Sequence, residues 1–224
     1  MPSLSPLSHP LAIRPEHVAQ CTTTLKVKQQ SNTLSSGNFT VSRIDASGRP
    51  ESEAESTPLF TVTSPFASWT RRRTFLDASG LPLFEIASVR LGGMWTLHLP
   101  GSSRKTEQPI ATILPKRRSG AGDKFDVHLH LKGDAADAAE EREPVLEVRG
   151  QDAFGSVTHV FHRKTAKCVM SVRLEKRGMF AGYVVPFRRP EWEVSVAKGM
   201  DVSLASAITV LLAMMLYNNS STGY

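Results

Sequence analysis

The sequence VSLASAITVLLAMMLY, residues 202–217, decides the fold of this chain. It is apolar on nearly every side and follows Gly199-Met200-Asp201, a typical helix start. A helix that is hydrophobic all round must be buried in protein or in lipid. Because the rest of the chain has the pattern of short strands, this stretch is either a helix enclosed by a β-barrel or a C-terminal membrane anchor.

The length of the stretch favours the enclosed helix. Sixteen residues form a helix of about 24 Å, which is shorter than the ~30 Å hydrocarbon core of a bilayer. The stretch also carries Ser203, Ser206 and Thr209, and no basic residue follows it. We therefore predict a buried core helix. Five of its side chains are expected inside the barrel: Leu204, Ile208, Leu211, Leu212 and Met215.

Repeated turns and alternating strands predict the barrel itself. The tetrapeptide DASG occurs twice between strand-like segments, ending in Gly48 and Gly80, and a looser copy spans residues 151–155. Asp can bond its own backbone and Gly can adopt positive φ, so both tetrapeptides suit equivalent tight hairpin turns. Apolar and polar residues alternate in residues 94–99 and 125–131, as in half-buried antiparallel strands. About a dozen such strands with one apolar helix predict a closed barrel around that helix.

The composition indicates one globular domain with a basic balance. The chain has 224 residues, of which 40% are hydrophobic and 21% charged, and a net charge of +6. This charge indicates an acidic partner, either nucleic acid or an anionic membrane. Cys21 and Cys168 make no disulfide framework, and the proline-broken N-terminus lacks the apolar core of a signal peptide. We therefore expect a cytoplasmic monomer. Residues 1–21 are predicted to be disordered, residues 22–217 to form the domain, and residues 218–224 a tail.

Several sequence pieces, taken in order, resemble the LURP-one-related family. They are LKVKQ (25–29), GNFTV (37–41), the turn at residues 45–48, RTFLDASGLPL (73–83), CVMSV (168–172) and VSVAKGMD (194–201), which runs into the apolar helix. The resemblance covers residues 22–217. It implies a tubby-like barrel of twelve strands around a C-terminal helix, a fold shared with phospholipid scramblases. Tubby-like domains are associated with binding of anionic phospholipid, so the resemblance also implies such a partner.

No catalytic signature is present, since the chain lacks G-x-S-x-G, H-E-x-x-H and P-loop motifs. We expect no enzyme activity, no metal and no cofactor. His128 and His130 share a strand face, and His98 has the same outward parity on another strand. We predict that they face solvent, because no nearby Cys or His completes a ligand set. Cys168 is predicted to pack in the core, because a nucleophilic cysteine needs a paired base.

Basic residues are clustered in turns of the predicted barrel. Residues 158–198 hold nine basic and three acidic residues, an excess equal to the net charge of the whole chain, and further clusters stand at 116–118 and 71–73. Basic turns on a rigid barrel can converge on a phosphorylated headgroup. The alternative is dispersed surface charge that favours solubility. The candidate lipid-binding residues are Lys116, Arg117, Arg118, Arg163, Lys164 and Lys167.

Among the possible functions, we favour a non-enzymatic module that binds anionic phospholipid, such as phosphoinositide, peripherally at the plasma membrane. A scramblase-like membrane protein and a protein-binding adaptor remain alternatives. A nucleic-acid partner is not expected, because aromatic residues rarely interleave with the basic clusters and no stacking platform is visible.

Overall fold

The structure confirms a closed antiparallel barrel around a C-terminal helix. The computed structural model describes residues 3–30, 38–45, 58–64, 72–89, 93–101, 108–116, 124–130, 144–152, 156–176, 179–180, 183–184 and 190–219. Twelve of the strands in this part of the chain close into the barrel, and every neighbouring pair is antiparallel.

The barrel strands follow one another along the chain. They are β1 (Thr23–Gln29), β2 (Phe39–Ile44), β3 (Phe60–Thr63), β4 (Arg73–Leu76), β5 (Pro82–Ser88), β6 (Trp95–His98), β7 (Ala111–Lys116), β8 (Lys124–Leu129), β9 (Leu146–Gly150), β10 (Val157–His162), β11 (Cys168–Lys176) and β14 (Glu191–Val196). A separate two-stranded hairpin pairs β12 (Met179–Phe180) with β13 (Tyr183–Val184). The barrel closes in the order β1-β14-β11-β10-β9-β8-β7-β6-β5-β4-β3-β2.

The barrel interior is filled by α1 (Val202–Asn219), which extends two residues beyond the predicted stretch. A twelve-stranded barrel is too wide for its own side chains to fill, so an enclosed element is needed. Leu204, Ile208, Leu211 and Leu212 are buried as predicted, while Met215 is only partly buried against the core. No helix among the described residues has the length and apolarity needed to cross a membrane.

Two hydroxyl groups of the enclosed helix are satisfied by its own backbone. The Ser206 hydroxyl donates to the Val202 carbonyl oxygen at 2.7 Å, and the Thr209 hydroxyl donates to the Ala205 carbonyl oxygen at 2.9 Å. Because a buried hydroxyl without a partner would be costly, these bonds explain how an enclosed helix tolerates such residues.

The second DASG tetrapeptide forms the predicted turn between β4 and β5. Gly80 has φ +83°, and its amide donates to the Asp77 carbonyl oxygen at 3.0 Å. The Asp77 carboxylate accepts bonds from the Ser79 amide at 2.8 Å and the Leu81 amide at 2.9 Å. The bond from the Ser79 hydroxyl is the main reason that the pKa of Asp77 is lowered. Gly48 lies outside the described residues.

Residues 3–22, here called the N-terminal segment, cover one end of the barrel. The amide of Ser5 donates to the Cys168 carbonyl oxygen on β11, while Arg14 donates to the Leu83 carbonyl oxygen on β5. β11 and β5 lie six places apart in the closed order of twelve strands, so the segment crosses the whole end. We call this the covered end.

This placement differs from the prediction that residues 1–21 are disordered. Apart from one 3-10 turn at Pro15–His17, the segment forms no regular element of its own among its described residues. It is held instead by backbone bonds to the residues before the helix and by apolar contacts with the core. Leu4, Leu7, Leu11 and Ile13 make those apolar contacts. The bonds include Leu11 N to the Gly199 carbonyl oxygen at 2.9 Å.

Candidate anion-binding site

The six predicted lipid-binding residues belong to two turns. Lys116 is the last residue of β7, and Arg117 and Arg118 lie outside the described residues. The other three predicted residues occupy the turn between β10 and β11.

These two turns leave the barrel at opposite ends. Three antiparallel strands, β8, β9 and β10, separate them in the barrel order, and each strand reverses the chain from one end to the other. The β10–β11 turn lies at the covered end, where β11 also meets the N-terminal segment. The backbones of the two turns therefore do not border one site. This argues against convergence on a single headgroup, which the sequence left open beside the alternative of dispersed charge.

Two of the predicted bases do meet, but on a carboxylate of the barrel wall. Glu147 on β9 lies 2.6 Å from Arg149, 3.0 Å from Arg163 and 3.9 Å from Lys116. Lys116 is also 2.8 Å from Asp126. The hydrogen bond from Arg149 is the largest of the effects that hold the pKa of Glu147 at about 2. Because Lys116 and Arg163 are already paired with acids, neither is well placed to bind an external anion.

The two remaining bases, Lys164 and Lys167, have no such partners. Both side chains are exposed in the β10–β11 turn, and neither is in an ion pair with any residue that the structure describes. The turn is held by bonds from His162 N to the Lys167 carbonyl oxygen at 2.9 Å and from Ala166 N to the His162 carbonyl oxygen at 2.8 Å. Two unneutralised ammonium groups thus project from a fixed backbone.

A cleft of about 240 Å³ separates this turn from the N-terminal segment. Its lining side chains are basic, hydroxyl-bearing or apolar, and none of these residues, all within the described part of the chain, is acidic. They are Ser5, Pro6, Leu7, Ser8, His9, His162, Lys164, Thr165 and Lys167. A concave surface with cationic and donor groups and no carboxylate suits an anion.

His162 lies in the cleft and is affected both by burial and by the charge of Lys164. Its Nδ1 lies 3.0 Å from the Thr165 hydroxyl. Burial is the main cause that lowers the pKa of His162, and the nearby charge of Lys164 lowers it further. The imidazole is therefore mainly neutral at pH 7.

Residues 5–9 are the part of the cleft that the sequence pattern did not indicate. They lie more than 150 positions from the turn and belong to a segment predicted to be disordered. The signal that bears on them is the apolar spacing of Leu4, Leu7 and Leu11, which matches a helix period and fits contact with a core. Pro6 and Pro10 interrupt this stretch, so no helix forms there.

The other candidate groups do not form a chemical site. His98 is buried, unlike the solvent-facing position predicted for it, whereas His128 and His130 are half-buried. No group of three or more potential metal ligands occurs in the part of the chain that the structure describes. Cys168 is buried as predicted, and this burial raises the pKa of its thiol. A raised pKa disfavours the thiolate that a nucleophile would need.

In the third basic cluster, at residues 71–73, the two described arginines bind groups of the barrel itself. Arg72 pairs with Glu85 on the neighbouring strand. Arg73 is buried and donates to the Ser64 hydroxyl at 2.6 Å. Arg71 lies outside the described residues.

Comparisons with known proteins agree with this architecture. The model of the family described as LURP-one-related matches residues 23–213. The chain is similar to the crystal structure of a protein from Arabidopsis thaliana, with a TM-score of 0.60 and 16% sequence identity. That similarity covers 92% of this chain and 98% of the Arabidopsis chain, and it concerns the fold alone. No match is found among the curated proteins.

Proposed function

The chain belongs to the LURP-one-related family, and we propose that it is a non-enzymatic, intracellular module that binds anionic phospholipid peripherally through the covered end of its barrel. The proposal rests above all on the unpaired Lys164 and Lys167 at that end. Lys116, Arg149 and Arg163, by contrast, are paired with Asp126 or Glu147 on the barrel wall.

Other residues at the covered end suit a membrane surface. Lys198, between β14 and α1, is exposed. Leu81, in the β4–β5 turn at the same end, is 64% exposed, the largest exposure among the large apolar side chains in the described ranges. Each base near an anionic surface contributes about 1 kcal/mol, and an exposed apolar side chain can enter the interface. Three lysines and one leucine therefore support weak, reversible docking.

Three acidic groups that the structure describes at the covered end are occupied by contacts of their own or buried. Glu16 lies 3.8 Å from Arg14, and Asp201 is fully buried. The Asp77 carboxylate is bonded within its own turn. Lys164, Lys167 and Lys198 are not in ion pairs with any of these three acids.

Vesicle co-sedimentation tests the proposal. The full chain should be used, because residues 131–143, between β8 and β9, are rich in acids and contribute to the net charge that the vesicles meet. We expect binding to vesicles that contain anionic lipid and none to neutral phosphatidylcholine vesicles. Lys164→Ala/Lys167→Ala should weaken binding about thirtyfold, since two bases contribute about 2 kcal/mol.

A charge-matched control is available at the opposite end. Lys28→Ala/Arg173→Ala removes the same formal charge from two exposed residues, of which Arg173 is paired with Glu175, and it should bind nearly as the wild type does. Equal losses in the two double variants would show that only net charge matters and would contradict docking by the covered end. A larger loss in Lys116→Ala/Arg117→Ala/Arg118→Ala would assign docking to the other end.

The alternatives predict different results. A protein-binding adaptor would not bind either vesicle. A scramblase-like protein would move labelled lipid between leaflets in the same vesicles, whereas a peripheral module would leave the label where it was placed.

A further inference from the structure

We propose that the cleft between the N-terminal segment and the β10–β11 turn is a binding site for a phosphomonoester, carried by a lipid headgroup or by a soluble molecule. This site adds detail to the proposed function. If the phosphomonoester belongs to a lipid headgroup, the inference rests on the proposed function. Binding in this cleft differs from general attraction to an anionic surface, because the ligand must occupy one defined cleft that is formed in part by the N-terminal segment.

Both walls of the cleft are formed before any ligand arrives. On one side, Ser5 N donates to the Cys168 carbonyl oxygen and Leu7 N donates to the Lys198 carbonyl oxygen, each at 2.9 Å. On the other side, Ala166 has φ 54° and closes the turn by its bond to His162. A preformed site loses little conformational entropy when its ligand binds.

The functional groups in the cleft match a phosphate dianion. Lys164 and Lys167 can donate charged hydrogen bonds, and Thr165 and Ser5 carry hydroxyl groups. His9 brings a second imidazole from the N-terminal segment. A phosphate offers three strong acceptor oxygens and a charge of roughly −1.5 to −2 at pH 7. Carboxylate ligands, which carry a single charge, would satisfy fewer of these donors.

The size of the cleft sets the class of ligand. The cleft has a volume of about 240 Å³. That space is below the ~300–1,000 Å³ of sites for drug-sized molecules. It holds a phosphate and a small part of the group that carries it, with the remainder in solvent.

His162 provides a spectroscopic reporter inside the cleft. A bound dianion would oppose the charge of Lys164, so the pKa of His162 should rise on binding. The other titratable groups lining the cleft are His9 from the N-terminal segment and Lys164 and Lys167 from the turn. An anion bound elsewhere on the barrel would leave the titration of His162 unchanged.

The experiment is an NMR titration of the full chain, following the histidine imidazoles. The soluble probes are inorganic phosphate and inositol trisphosphate. The vesicle probes contain phosphatidylinositol bisphosphate or an amount of phosphatidylserine that gives equal charge. We expect saturable shifts at His9 and His162, a rise in the pKa of His162, and tighter binding to the phosphoinositide vesicles.

Variants separate the cleft from surface charge. Lys164→Ala/Lys167→Ala should weaken binding of inositol trisphosphate by about a hundredfold or more, because a hydrogen bond to a charged group is lost at each position. His9→Ala, at an exposed residue of the opposite wall, should also weaken it without changing the melting temperature. Lys28→Ala/Arg173→Ala should leave it unchanged.

The outcomes distinguish this inference from the proposed function. Soluble phosphates that bind in the cleft without vesicle binding would support the site and overturn the membrane proposal. Vesicle binding that follows charge alone, with no response at His162 and no effect of His9→Ala, would overturn the site and keep the membrane proposal. No binding of any probe would overturn both.

Discussion

Asp201 is the residue at which the helix and the N-terminal segment meet. It is fully buried. Its Oδ1 accepts bonds from the amides of Ser203 at 2.7 Å and Leu204 at 3.2 Å, which is the geometry of a helix N-cap. Its Oδ2 accepts bonds from the amides of Ile13 at 3.0 Å and Arg14 at 2.8 Å. One carboxylate therefore begins the core helix and fixes the N-terminal segment.

Replacing Asp201 should separate these two roles. Asp201→Asn keeps an oxygen for the helix cap but presents an amide to the Ile13 and Arg14 N–H groups. We expect it to lose part of the stability and Asp201→Ala to lose more, about 3 kcal/mol, from the cap and the unsatisfied amides. Urea denaturation measures the loss, and hydrogen exchange in residues 4–14 should increase in both variants. Unchanged exchange in Asp201→Asn would contradict the second role.

Gly80 tests backbone strain without a steric clash. A Cβ at this position would meet no atom within 4 Å, so only the φ of +83° opposes a side chain. Gly80→Ala should destabilise the barrel by about 1 kcal/mol, and Gly80→Asn by less, because Asn tolerates this conformation better. Thermal unfolding measures both variants. If Gly80→Ala has the same melting temperature as the wild type, the turn is free to adopt another conformation.

At the scale of the element, the enclosed helix has a direct test. Leu211 is completely buried inside the barrel. Leu211→Ala should cost about 2–5 kcal/mol by leaving a cavity, and Leu211→Asp should abolish soluble expression because it buries an unpaired charge. Expression and urea denaturation check the two results. A folded Leu211→Asp protein with an unchanged melting transition would show that the helix is not core.

Strands β7 to β10 are joined on their outer face by the ion pairs of Glu147. Its folded-state pKa of about 2 lies below the ordinary glutamate value of 4.5, so its contribution to stability is present above pH 4.5 and is lost as the pH falls toward 2. Glu147→Gln should therefore be less stable than the wild type at neutral pH, and this difference should shrink across that pH range. Urea denaturation from pH 7 to pH 2 measures it. A difference independent of pH would exclude the ionised carboxylate as its source.

At the scale of the whole molecule, the fold was easier to predict from the sequence than the candidate site was. The all-round apolar helix and the Gly80 turn depend on local patterns, so both were predictable. The opposite placement of the two basic turns also follows from counting strands, once their number is known. The contacts of Glu147 with Lys116 and Arg163 join three strands, and the cleft joins residues 5–9 to the β10–β11 turn. Such contacts depend on register and on an irregular segment, which periodicity does not encode.

Salt dependence tests how the whole molecule meets a membrane. Surface charges are screened over about 8 Å at physiological ionic strength, so binding through Lys164, Lys167 and Lys198 should weaken steeply as salt rises. A remainder that salt does not remove would come from Leu81, because burial of apolar surface does not depend on screening of charge. Leu81→Ser should abolish that remainder and leave the slope with salt unchanged, whereas Lys164→Ala/Lys167→Ala should reduce the slope. Co-sedimentation across a salt series measures both quantities. Binding that persists at high salt in Leu81→Ser would contradict this division between charge and apolar contact.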